Sequence, residues 1–81
     1  MMGFMAYGRK VAETANEVRY AFGKSEGDPE AGVLVIPVAD PESWYVDGRE
    51  GHPIAAQRVF GRAVRLQRQA GEWAEWASFF S

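Results

Sequence analysis

The spacing of apolar residues changes along the chain, and each change marks an element. The longest unbroken apolar run, Val33–Ile36, continues past Pro37 to Val38. A run apolar on both faces predicts a strand that is covered on both sides or lies mid-sheet. Pro37 offers no ladder donor, so the strand bends, ends or meets an open edge there. Ala39-Asp40-Pro41-Glu42-Ser43 then reads as a tight turn: Asp accepts from nearby N–H groups while Pro fixes φ. Trp44-Tyr45-Val46 is the expected return strand, and Asp47-Gly48 opens a polar loop to His52. The stretch Gly32–Gly48 is thus the predicted sheet centre.

Upstream, Val18, Tyr20 and Phe22 alternate within a segment rich in strand formers, which predicts a strand over residues 17–22. Residues 4–16 admit two readings. As a strand, Met5, Tyr7, Arg9 and Val11 share a face. As a helix, Tyr7, Val11, Ala15, Val18 and Phe22 recur at three- and four-residue spacing, but Gly8 interrupts them and no cap precedes them. We adopt the hairpin, with Thr14-Ala15-Asn16 as its turn. Gly23–Gly32 holds three glycines, a proline and four charges, and is expected to be a solvated, mobile loop.

From Pro53 to about Gln69 the period becomes helical. Ala56, Val59, Phe60, Ala63, Leu66 and Ala70 fall on one arc, with Arg58, Arg62, Arg65 and Arg68 opposite. Pro53 suits a first helical turn. Gly61 has no evident role in this pattern, and Gly71 ends or kinks the helix. Beyond it, Trp73, Trp76, Ala77 and Phe80 stand at i, i+3, i+4 and i+7, which predicts a short second helix with Glu72 and Glu75 at its start. The expected fold is α+β in the order β-β-β-β-α: a small antiparallel sheet of three or four strands, covered by a C-terminal amphipathic helix and a short aromatic helical tail. The helix covers one face of Val33–Ile36. The other requires the tail, the N-terminal segment or a second copy of the chain.

Length and composition narrow this further. Eighty-one residues make one domain, 1–81, with a modest core. Three Trp, three Tyr and five Phe compensate, since each buries roughly 150–250 Å². The absence of cysteine excludes disulfides, zinc thiolate sites and Cys nucleophiles. The apolar start, Met1–Tyr7, is too short for a signal sequence, and no stretch approaches the length of a membrane span. A cytoplasmic protein with no membrane contact is expected.

Charge is unevenly divided. Residues 1–50 carry five Lys and Arg against nine Asp and Glu. Residues 51–71 carry four Arg and no acid, in a chain of net charge −2. A basic helix face of Arg58, Arg62, Arg65 and Arg68 suits phosphate, because guanidinium pairs bidentately with it. It also suits plain solvation, with some arginines bridging to loop acids. Trp73, Trp76, Phe79 and Phe80 serve either as core or as a partner face, since Trp concentrates at interface hot spots. The acidic loops, from Glu26, Asp28 and Glu30 to Asp40, Glu42, Asp47 and Glu50, lack the ligand order of a calcium loop and read as solvated charge, or as a face for a basic partner.

Chemistry is sparsely represented. His52, the only histidine, lies near Asp47 and Glu50 at no metal-ligand spacing, and as the residue before Pro53 it reads as helix entry. No nucleophile elbow or phosphate-binding Gly-rich loop is present. No catalytic residue, cofactor or metal is expected, and no enzyme. The leading expectation is a small protein-interaction or regulatory module acting on an unknown protein partner or by self-association. Weak nucleic-acid binding through the Arg face is the alternative.

Overall fold

A computed structural model describes residues 5–25 and 27–80 of the chain. The architecture is α+β. Strands β1 (Met5–Glu13), β2 (Glu17–Gly23), β3 (Gly32–Pro37) and β4 (Tyr45–Val46) precede one helix, α1 (Ile54–Ala70), and β5 (Phe79–Phe80) follows it. All pairings are antiparallel, and the sheet order is β4-β3-β2-β1-β5. Among the described residues the sheet therefore has five strands, not three or four.

The N-terminal segment is the predicted hairpin. The Thr14 hydroxyl accepts from the N–H groups of Asn16 and Glu17 at 3.1 and 3.2 Å, while Thr14 N–H donates to Glu17 O at 2.8 Å. Side-chain burial then selects the strand. Val18, Tyr20 and Phe22 alternate into the core, whereas a helical stripe would place Tyr7 and Val11 beside them. One irregularity, between Lys10 and Ala12, leaves Val11 as the extra residue of β1, half exposed. Met1–Phe4 lie outside the described residues.

Strand β3 lies between β2 and β4 and ends at Pro37. Pro41–Ser43 form a short 3-10 turn, in which the Ser43 hydroxyl donates to the Asp40 carboxylate at 2.6 Å. Trp44 stays outside the short strand β4. Its ring stacks on Phe60 at 4.9 Å between centroids and meets His52 at 4.2 Å, closing one end of the core.

Helix α1 lays Ala55, Ala56, Val59, Ala63 and Val64 on the sheet. The buried stripe is rotated from the sequence arc: Ala55 and Val64 join it, Leu66 is half-buried and Ala70 is exposed. Gly71 ends the helix in the left-handed conformation at φ 80°, its N–H reaching Gln67 O at 2.7 Å. Among the described residues, no helix is long and apolar enough to cross a membrane.

The tail corrects the sequence reading: it is extended, not helical. Lys10 N–H donates to Glu75 O at 2.7 Å, Ala77 N–H to Gly8 O at 2.9 Å, and Trp76 bridges Arg9 before Phe79 and Phe80 pair with Ala6 and Met5. The physical reason is the open edge of β1. A short second helix leaves that edge's backbone groups unpaired, whereas an extended tail satisfies them. The same register sorts the side chains. Trp76 and Phe80 share the face of Arg9 and Met5, Phe80 at the sheet edge also bordering Arg62 and Arg65 of α1, while Ala77 and Phe79 face the helix side. Trp73 and Ala77 belong to the core.

Val33–Ile36 receives its two covers unequally. Leu34 and Ile36 point into the helix-side core. Val35, on the opposite face, is fully buried between its cross-strand neighbours Arg19 and Tyr45. Side chains of the sheet itself thus supply that cover, with no second layer of chain over it among the described residues.

Candidate functional site

The register of β5, β1, β2 and β3 builds a surface on the open face of the sheet. Trp76, Arg9, Ala21 and Val33 form one row across four neighbouring segments, and Phe80 and Met5 form another at its end. Trp76 is 59% exposed, Phe80 70% and Met5 50%. Between the rows lies a cleft of about 620 Å³ lined by Met5, Tyr7, Arg9, Ala21, Lys24, Ser25 and Trp76.

Two cations on this face differ in their surroundings. Arg19 is satisfied: its Nε donates to Glu17 at 2.6 Å and its Nη1 reaches Asp47 at 3.5 Å. Its hydrogen bond to the Glu17 carboxylate, and then that residue's charge, hold the Arg19 guanidinium above its ordinary pKa. The Arg9 guanidinium has no hydrogen bond, ion pair or ring contact among the described residues. It is an unneutralised charge set among aromatic side chains.

The loop that borders the cleft carries its own bonds. Asp28 accepts from the N–H groups of Lys24 at 2.8 Å and Glu30 at 2.9 Å, and Arg49 donates to Glu30 O and Ala31 O at 2.8 and 3.2 Å. Those two backbone donors, with the charges of Lys24 and Arg49, hold the Asp28 carboxyl below the usual range. Glu26 lies outside the described residues.

The arginine face of α1 forms a second surface. Arg58, Arg62, Arg65 and Arg68 are all exposed, and none makes an ion pair with a described acid. Arg58 stands over the Phe79 ring at 5.3 Å. Gly61 sits among Gln57, Arg58, Arg62 and Arg65 with nothing within 4 Å of where a Cβ would be. Arg62 and Arg65 also share a shallow groove with Ser78, Phe79 and Phe80. Arg68 differs, because it and Arg65 line a groove that includes Glu42.

The predicted site residues thus separate. Trp73 is core, Trp76 and Phe80 are surface, and Phe79 is half-buried beside Arg58. His52 packs on Trp44 and lends its carbonyl to Gln57. No cluster of His, Asp or Glu suited to a metal occurs among the described residues. Sequence reasoning missed Met5, Tyr7, Arg9 and Lys24 as surface partners of Trp76. The alternation of Met5, Tyr7 and Arg9 was the available signal, but only strand pairing brings Trp76 beside them. In comparisons with known proteins, no family model, no curated protein and no solved structure matches this chain.

Proposed function

We propose that this chain is a protein-interaction module that docks an acidic, apolar-anchored segment of another protein on the open face of its sheet. The observation that carries the reading is Trp76, which is 59% exposed yet held in register across from Arg9 by the tail's pairing with β1. Large apolar side chains gathered on one face are characteristic of docking surfaces, and a pre-positioned Trp loses little conformational freedom on binding. Charge selects the partner. Arg9 and Lys24 line the cleft, and Arg9 pairs with no carboxylate among the described residues, so a segment bearing Asp or Glu beside an aromatic or aliphatic anchor complements it. A second copy of this chain would bring another Arg9 and Lys24 to the same interface.

Random-peptide display on the folded chain tests this. Enriched peptides are expected to combine acidic and large apolar residues, and Trp76→Ala and Arg9→Glu are each expected to weaken their binding at least about tenfold, the loss of a hot spot. No enrichment, or binding indifferent to both substitutions, refutes the reading. So does a solution mass showing a stable dimer that buries Trp76.

A further inference from the structure

The geometry points to a second site, on the arginine face of α1, that takes the phosphate backbone of a single-stranded nucleic acid. It shares no charged residue with the open sheet face. Arg58, Arg62 and Arg65 stand at i, i+4 and i+7, a row about 10 Å long at 1.5 Å of helix rise per residue. Gly61 leaves the middle of the row without a side chain, so a chain of phosphates can lie close to the helix between the guanidinium groups. Each guanidinium offers paired donors to phosphate oxygens, and Arg62, Arg65 and Arg68 have no partner among the described residues.

The aromatic ring beside the row chooses among polyanions. Phe80, 70% exposed, shares a groove with Arg62 and Arg65. An exposed ring next to a track of cations is the arrangement on which unstacked bases rest. A duplex hides its base faces and gains nothing from Phe80, and the same holds for a sulfated or phosphorylated polymer without bases. Arg68, with Glu42 in its groove, lies at the margin of the site. The chain's net charge of −2 opposes polyanions at long range, so binding is weak and strongly salt-dependent.

Fluorescence anisotropy tests this with labelled mixed-sequence single strands of about a dozen nucleotides, DNA and RNA, beside a duplex and heparin. Three phosphate contacts predict that a tenfold rise in salt weakens single-strand binding about 100-fold. Arg62→Gln with Arg65→Gln is expected to weaken binding at least about tenfold and to flatten the salt slope by about 1.4, since each lost contact removes about 0.7. Phe80→Ala is expected to lower affinity at unchanged slope, Arg68→Gln to change it little, and Trp76→Ala to leave it intact, which separates this site from the sheet face. Absence of binding at low salt overturns the proposal, as does an unaffected double variant. Heparin or duplex bound as tightly as single strands, with Phe80→Ala silent, overturns it in favour of a general polyanion surface.

Discussion

Tyr20 donates its hydroxyl proton to the carbonyl oxygen of Ala74 at 2.5 Å, joining the middle strand of the sheet to a residue 54 positions later. Beside it, Lys10 Nζ donates to Trp73 O at 3.0 Å. The tail is thus latched by side chains of β1 and β2 before its own backbone pairs with the edge. Tyr20→Phe removes one latch and strands the Ala74 carbonyl. A loss of about 1–2 kcal/mol in denaturant unfolding is expected, with faster amide exchange at Ala77 than at Leu34. Equal stability, or uniform acceleration across the sheet, would contradict a latch.

The same phenol makes stability depend on alkaline pH. Burial, and then the carboxylates of Glu13 and Glu75, push the Tyr20 hydroxyl up to about 12 from its ordinary 10.0. The fold therefore favours the protonated form. That contribution is complete below pH 10 and is lost as pH rises through about 12, a change on the order of 2–3 kcal/mol. Unfolding free energies measured from pH 9 to 12 are expected to fall more steeply for the wild type than for Tyr20→Phe. Parallel profiles would place the alkaline loss elsewhere.

Two glycines predict opposite signs. A Cβ at Gly8 would stand 2.5 Å from a Val59 methyl and 2.9 Å from Ala77 O. Val59 can rotate, but the carbonyl belongs to the backbone of the paired tail. Gly8→Ala is expected to destabilise by about 1–3 kcal/mol. Gly61, in mid-helix with open space around it, is expected to gain about 0.5–1 kcal/mol on replacement by Ala. Thermal unfolding of the two variants checks both, and a stable Gly8→Ala would deny the close approach of helix, strand and tail.

The tail divides into core and surface, and truncation separates them. Ending the chain before Trp73 removes Trp73 and Ala77 from the core and uncovers the edge of β1. Loss of cooperative folding is expected, seen as collapse of amide dispersion in NMR. Trp76→Ala, which touches only the open face, is expected to keep that dispersion. A folded truncated chain would return the whole tail to an interface role.

The elements that sequence pattern exposed were those whose burial is local. Val18, Tyr20 and Phe22 alternate in sequence and are buried together, and the helix announced itself through Val59, Ala63 and the arginines opposite them. The tail misled because Trp73, Trp76, Ala77 and Phe80 have helical spacing, yet only Trp73 and Ala77 are buried. What decides their form is the edge of β1, some seventy residues away along the chain, as in the bond from Gly8 N–H to the Ser78 hydroxyl. Local periodicity carries no record of that edge. For the same reason the arginine face was legible as a unit on one helix, while the surface around Trp76 and Arg9 was not.

Met5 lies directly opposite Phe80 in the last pair of the sheet. Because β1 and β5 run antiparallel, tension applied at Met5 and Phe80 meets their backbone bonds one at a time, starting from that pair, rather than all together in shear. Such a load opens the sheet like a zip from the corner where Phe80 stands, so a pull applied at Met5 and Phe80 is expected to open it at lower force than one that shears the strands.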